Sequence, residues 1–317
     1  MDRRGILIHP QDICMKWPDR LADAGINVLG FHPVGGQEAH LSLAAAIAGR
    51  DEPDMRRFVD ALEARGIAAE YEMHALRYLM PAEMFEKAPE FFTMNDEGVR
   101  FAGPNMCASS RAGLAFVAEA SRKLARTLPS QTHRYYFWLD DIATSGCRCP
   151  ACRELSPSDQ QTLILNAMLE GIRQADPLGE LAYLAYVSTL ERPQKVQPAE
   201  GLFLEYAPIH RDPHRPIADP TSEKNAAELK SLPEILKLFD PARAQVLEYW
   251  MDNSLYSGWK RPPKPFALDE AVMAEDVAYY RSLGFGSITS FGCFLGPDFE
   301  ALYGEPPLAA YGRILAR

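Results

Sequence analysis

Residues 133–140 read HRYYFWLD. Five aromatic or apolar residues in a row, with no polar alternation, mark a strand covered on both faces, as strands of a parallel sheet are. The run ends on two acids, Asp140 and Asp141. Seven similar runs lie around it: 5–9 (GILIH), 26–32 (INVLGFH), 67–74 (IAAEYEMH), 181–187 (LAYLAYV), 202–206 (LFLEY), 245–250 (QVLEYW) and 287–291 (SITSF). Between them, 38–48, 54–65, 111–128, 158–175, 225–239, 268–283 and 298–315 carry apolar residues at helical spacing. Strands alternating with helices predict parallel pairing under covering helices. Eight of them fit one closed (β/α)8 barrel, a TIM barrel, with residues 1–317 as a single domain. A doubly wound open sheet is the alternative, disfavoured because no Gly-rich phosphate loop follows the first strand. Proline-rich stretches at 208–220 and 261–265 predict long loops after strands six and seven, on the face where barrels carry chemistry.

The composition is that of an ordinary globular protein: 47% apolar and 24% charged over 317 residues. Lys and Arg number 33 against 43 Asp and Glu, a formal charge of −10 with no basic block. Nucleic-acid binding is therefore not expected, since phosphate neutralisation needs clustered cations. No apolar stretch of about 18 residues offers a membrane span. The first ten residues lack the apolar core of a secretion signal, so the expected location is the cytoplasm. There a framework of disulfides among Cys14, Cys107, Cys147, Cys149, Cys152 and Cys293 is not expected.

The predicted strand ends collect ionisable residues. Strands one and two end at His9 and His32; strand three ends at Glu72 and His74; strand four ends at Asp140 and Asp141. Strand six carries Glu205, and strand seven carries Glu248 followed by Asp252. In a barrel these ends meet at one mouth, where ionisable groups are solvated, paired or functional. Each also has a structural explanation: a lone His that is simply a hydrogen-bonded structural residue, or a Glu248 that alternates with Val246 and points between barrel and helices as a salt-bridged residue. Asp140 and Asp141 point to opposite faces, so at most one faces the barrel axis. Trp138, Tyr206, Tyr249 and Trp250 crowd the same ends. Aromatic platforms with carboxylates between them describe a carbohydrate cleft, and glycosidic cleavage needs a carboxyl pair. Asp141 is the expected general acid, with Glu205 or Glu248 as opposing base or nucleophile and Asp140 as orienter. Substrate contacts are expected from His9, His32, Glu72, His74, Trp138, Tyr206, Tyr249 and Trp250. The alternatives are a divalent-metal-dependent sugar isomerase, epimerase or lyase, with His32, Glu72, His74 and Glu205 as ligands, and a barrel that binds glycans without cleaving them.

Cys147-Arg-Cys149-Pro-Ala-Cys152 puts three thiols within six residues. With Cys107 as fourth ligand they would close a structural Zn²⁺ site; His133 and Cys293 are the weaker choices. Its expected job is to pin the segment after Asp141.

The stretch 135–155, YYFWLDDIATSGCRCPACREL, resembles the signature of a bacterial family of glycoside-hydrolase-like (β/α)8 domains of unknown function. That family also has an Asn-x-Cys element, here Asn105-Met106-Cys107. Close relatives carry a Ser-Pro-Ser-Asp-Gln segment, here 156–160, and a Phe-Leu-Glu-Tyr-Ala-Pro strand, here 203–208. The resemblance implies a glycosidase scaffold, distantly similar to hexosaminidases, α-glucuronidases and endo-β-N-acetylglucosaminidases.

Overall fold

The computed structural model describes residues 2–141 and 146–317. The eight runs form β1 (Arg3–Ile8), β2 (Val28–Phe31), β3 (Ala68–His74), β4 (Arg134–Trp138), β5 (Glu180–Ala185), β6 (Leu202–Tyr206), β7 (Gln245–Glu248) and β8 (Ser287–Phe291). They close in sequence order into a parallel barrel with helices around it, the (β/α)8 architecture. Among the described residues, no helix is long and apolar enough to cross a membrane. The chain packs as two compact units. The first comprises Met1–His32, Gly49–Glu70 and Leu204–Arg317; the second comprises Pro33–Ala48 and Tyr71–Phe203.

In the first unit, β1, β7 and β8 are in register through Arg3↔Ser287 and Gln245↔Ser287. A strand's side chains alternate between two faces. Glu205 Oε1 accepts from Gln245 Nε2 at 2.9 Å, and Ser287 Oγ donates to Gln245 Oε1 at 3.0 Å, so these three share the inner face. Gly5 is required on that face, because a Cβ there would lie 2.2 Å from Thr289 Oγ1. Val246, Glu248, Ile288 and Ser290 take the other face, toward the helix Glu270–Ser282.

The outer face carries a buried ion cluster. Arg211 Nη1 donates to Glu248 Oε1 and to Asp276 Oδ2, both at 2.6 Å. Tyr280 Oη also donates to Glu248 Oε1 at 2.6 Å, and Trp250 Nε1 donates to Asp276 Oδ2 at 2.8 Å. Arg211 Nη2 holds the Arg215 carbonyl at 2.6 Å, which ties down the loop after β6. Burial raises both carboxyls and the Arg211 charge pulls them back. Removing one member of such a cluster strands the others unpaired in low dielectric. Arg211→Met is expected to destabilise the chain by about 3–5 kcal/mol, read from denaturant midpoints. An unchanged midpoint would show the cluster to be solvated.

In the second unit, β4 pairs with β3 through Tyr136↔Glu72 and Trp138↔His74, and with β5 through Arg134↔Glu180. The helices Arg111–Thr127 and Pro157–Arg173 pack closely. A Cβ at Gly171 would lie 1.8 Å from the Ala118 carbonyl oxygen, so glycine alone allows the approach. Ser156 and Asp159 form a reciprocal capping box that fixes where the second helix starts.

Two predicted helices are divided. The segment 298–315 forms Pro297–Tyr303 and Leu308–Leu315, because Gly304 takes φ +86° and Pro306 and Pro307 follow. The segment 225–239 forms Glu223–Leu229 and Leu232–Ile235, the second opening on Pro233.

Candidate functional site

In the second unit, chemistry gathers beyond β3, β4 and β5. His74 is the last residue of β3; its Nδ1 donates to the Leu139 carbonyl at 2.7 Å, and its ring meets the Trp138 indole edge-on at 5.2 Å. Burial pushes the His74 pKa down, with the Asp141 charge opposing, so the ring is neutral and Nε2 is an acceptor. Asp140 is held through its main chain, whose N–H donates to Asn105 Oδ1 at 3.1 Å. Its Oδ1 accepts from the Arg77 main-chain N–H at 3.2 Å. Its Oδ2 is buried and has no partner among the described residues. Burial pushes the Asp140 carboxyl up to about 7, with a smaller push from Asp141 and Arg77 opposing. Asp141 is held differently: its Oδ1 accepts from Tyr186 Oη at 2.9 Å. The two adjacent acids therefore sit in unlike environments. Asp140 lines a cleft walled further by Asn105, Gln160, Gln161, Tyr186 and Val187. Val187 takes φ +47°, a strained conformation for a β-branched residue.

The four cysteines expected to share an ion come together. All four Sγ atoms of Cys107, Cys147, Cys149 and Cys152 lie within 4.8 Å of one another, and all four residues are buried. Cys107 Sγ is 3.7 Å from Cys149 Sγ and 3.9 Å from Cys152 Sγ. A tetrahedral ion with Zn–S bonds of about 2.3 Å spaces its sulfurs about 3.8 Å apart, so the donor set fits Zn²⁺. The Met94 N–H donates to Cys147 Sγ at 3.3 Å. Hydrogen bonds from Cys147 and Cys152 hold the Cys107 thiol well below the usual thiol range. The other two possible ligands are engaged elsewhere: His133 Nδ1 pairs with Asp176 at 2.9 Å, and Cys293 Sγ faces the Leu7 carbonyl at 3.7 Å. The cysteine centre and the acids share a scaffold. Asn105, two residues before Cys107, holds Asp140. Gln160 accepts from the Cys147 N–H at 2.7 Å and donates to the Cys147 and Cys152 carbonyls at 3.2 Å each. Residues 142–145, part of the segment the ion was expected to pin, lie outside the described residues.

A family model described as "Domain of unknown function (DUF4838)" matches residues 50–250, which include β3 to β7, the acids and all four cysteines. The chain belongs to the DUF4838 family. No curated protein matches it. Among solved structures it is similar to a family 5 xyloglucanase from Paenibacillus pabuli in complex with ligand. That pair has a TM-score of 0.52 and 9% identity, over 96% of this chain and 90% of that one. It is also similar to XEG5A, a xyloglucan-specific endo-beta-1,4-glucanase from a metagenomic library in complex with cellotriose, with a TM-score of 0.51 and 11% identity over 95% and 88%. A third is the GH36 alpha-galactosidase AgaB from Geobacillus stearothermophilus, with a TM-score of 0.53 and 10% identity over 98% of this chain but 40% of that one. At these identities the likeness is one of fold.

In this DUF4838 chain several expected site residues stand elsewhere than at an open strand end. Glu248 has no exposed surface and is bonded to Arg211 and Tyr280 on the outer face, so it does not reach the mouth. Glu205 is equally sealed. Its register partner is Gln245, the first residue of β7, which places it deep on the inner face. Tyr206 packs on Tyr280 with ring centroids 6.3 Å apart, and Trp250 is bonded to Asp276; both are core, not platform. Glu72 and Trp138 are buried beside Tyr136 and His74. His9, His32 and Tyr249 cluster in the first unit. His9 and His32 stack at 5.6 Å, His32 meets Phe291 edge-on at 5.1 Å, and Tyr249 stacks on Phe291 at 5.2 Å. Tyr186 and Arg211 were not foreseen. Tyr186 follows Ala182 and Leu184 on one face of β5, a two-residue spacing that carries an aromatic one residue past the strand. Arg211 lies in a proline-rich loop whose sequence gives no periodicity to read.

Proposed function

We propose that this chain is a glycoside hydrolase whose proton donor is Asp140. The observation that carries the reading is the adjacent acid pair: Asp140 with a pKa near 7 and an unpartnered oxygen, Asp141 bonded to Tyr186. A neutral carboxyl at the cleft can give its proton to a leaving glycosidic oxygen. Asp141, steadied by the Tyr186 hydroxyl, then stabilises positive charge at the anomeric carbon or accepts a proton from the attacking group. The acid role thus passes from Asp141, its expected holder, to Asp140. The carbohydrate-active proteins of similar fold support the reading at the level of scaffold.

Zn²⁺ held by Cys107, Cys147, Cys149 and Cys152 would be structural, since four thiolates leave no open coordination position. Among the described residues the cysteines are the single group of three or more His, Cys, Asp or Glu side chains close enough to share an ion. A catalytic divalent metal therefore has no assembled site there, and the isomerase reading gains no support.

The test is a panel of 4-methylumbelliferyl and alkyl glycosides spanning common sugars and both anomers. Hydrolysis of at least one, falling as pH rises through about 7, is the expected result. No turnover across the panel would overturn the proposal.

A further inference from the structure

The segment after β5 carries a strain that the proposed reaction does not account for. Val187 adopts φ +47°, a left-handed backbone that β-branched residues rarely take. Burial of its side chain does not offset the cost, because Val187 is half-exposed at the wall of the cleft. The conformation is instead imposed by the bonds around it. The Thr189 N–H donates to the Tyr186 carbonyl at 2.9 Å and closes a turn. Thr189 Oγ1 accepts from the Tyr186 N–H at 3.2 Å, and its single proton is within reach of the Leu184 and Tyr186 carbonyls, both at 2.9 Å. The helix Pro157–Arg173 fastens the chain on either side of the turn. Gln161 Nε2 donates to the Leu184 carbonyl at 2.9 Å, and Ser158 Oγ donates to the Glu191 carbonyl. Both of these side chains are buried.

The turn sets the direction of Tyr186. β5 ends at Ala185, and Tyr186 continues it in extended backbone with φ −152°. Its Oη donates to Asp141 Oδ1 at 2.9 Å, so the connection after β5 reaches the one after β4. Tyr186, Val187, Ser188 and Thr189 all line the cleft together with Asp140. A residue in the ordinary right-handed or extended region at 187 would lead the chain off this course directly after the tyrosine.

We infer that Val187 is a positioning residue: the strained turn from Tyr186 to Thr189 presets the Tyr186 hydroxyl against Asp141, so that this carboxylate is oriented before substrate arrives. Strain held at a cleft by surrounding bonds is one means of preorganisation. A hydroxyl on a loose segment would have to be ordered at each turnover, whereas here the ordering is completed on folding. Asp140 is fixed from Arg77 and Asn105, and Asp141 from the far side of the cleft wall by Tyr186. The expected effect on rate rests on the hydrolase reading above; the effect on geometry does not.

Val187→Gly tests it, since glycine takes the left-handed region without strain but does not enforce it. The variant should melt close to wild type, because relief of the strain offsets the extra freedom that glycine gives the unfolded chain. Its kcat on alkyl glycosides is expected to fall at least about tenfold, the usual order for losing a hydrogen bond to a charged group, with KM little changed. Tyr186→Phe, which keeps the ring and loses the hydroxyl, should show the same split. Both changes act through one bond, so adding Val187→Gly to Tyr186→Phe should cost no further rate. Wild-type kcat in Val187→Gly, or a second full loss in the double variant, overturns the inference. Crystal structures of wild type and Val187→Gly read the geometry without any turnover. Tyr186 ordered on Asp141 in wild type and spread over several rotamers in the variant sustains the inference; Tyr186 ordered on Asp141 in both sinks it. That difference in Tyr186, found in a wild type that turns over no glycoside, sustains the positioning role and sinks the hydrolase reading alone.

Discussion

Asp140→Asn is expected to lower the turnover of alkyl glycosides by about 10²–10⁴-fold, the usual contribution of a positioned acid. The variant keeps the Oδ1 acceptor for the Arg77 N–H and is nearly the same size, so the cleft stays intact while the transferable proton disappears. Glycosides with a methylumbelliferyl leaving group need little protonation and should lose much less. The ratio of the two losses separates a proton donor from a residue that only shapes the cleft. The pH profile gives a second reading. Burial raises the Asp140 carboxyl to about 7, so the protonated, active form is lost as pH rises through that value. The same raised carboxyl ties stability to pH in the same direction. The folded chain holds a proton that the unfolded chain releases near 4, so this contribution is complete below about 4 and is lost as pH rises through about 7. Asp140→Asn should flatten both dependences, becoming the more stable form relative to wild type at pH 8 but not at pH 3.5. A variant with full activity and the wild-type alkaline limb would place the proton donor elsewhere.

The sequence discloses strand ends more readily than strand faces, and this explains which site residues were legible. Glu205 and Glu248 look alike on paper, each in a short apolar strand before an aromatic. In the barrel they lie on opposite faces, Glu205 bonded to Gln245 inside and Glu248 to Arg211 outside. The two-residue period was readable, but its phase depends on neighbours such as Tyr280 that come from distant segments. Runs such as 26–32, 135–139 and 181–187 are legible because burial on both faces leaves them almost without polar residues. Cys107 was legible because an Asn-x-Cys element stands out before a helix. The assignment of the acid was not. Asp140 and Asp141 differ only through Asn105, Arg77, His74 and Tyr186, four residues brought in by separate elements.

Cys149→Ser is expected to cost the chain its bound metal and about as much stability as Arg211→Met. Cys107 Sγ stands at the spacing that a tetrahedral zinc imposes from two of its partners, all four sulfurs lie within 4.8 Å of one another, and they are buried, so bound metal stabilises the folded chain and not the unfolded one. Apparent zinc-binding free energies in small thiolate sites reach about 10–16 kcal/mol. Losing about 4 kcal/mol of that with one ligand lowers the melting temperature by roughly 10 °C in a chain where each kcal/mol moves it about 2–4 °C. Elemental analysis should find one zinc per wild-type chain, released by chelator only when the chain unfolds, and much less in Cys149→Ser. Cys14→Ser, outside the cluster, should keep both metal and melting temperature. Because Asn105 joins the Cys107 turn to Asp140, loss of the ion should also loosen the proton donor. The alkaline limb near pH 7 should then shift toward the ordinary carboxyl range as water reaches Oδ2. A wild-type chain that carries no metal, together with a Cys149→Ser chain that melts where wild type does, would reduce the four cysteines to ordinary buried side chains and leave Asp140 to be positioned by Arg77 and Asn105 alone.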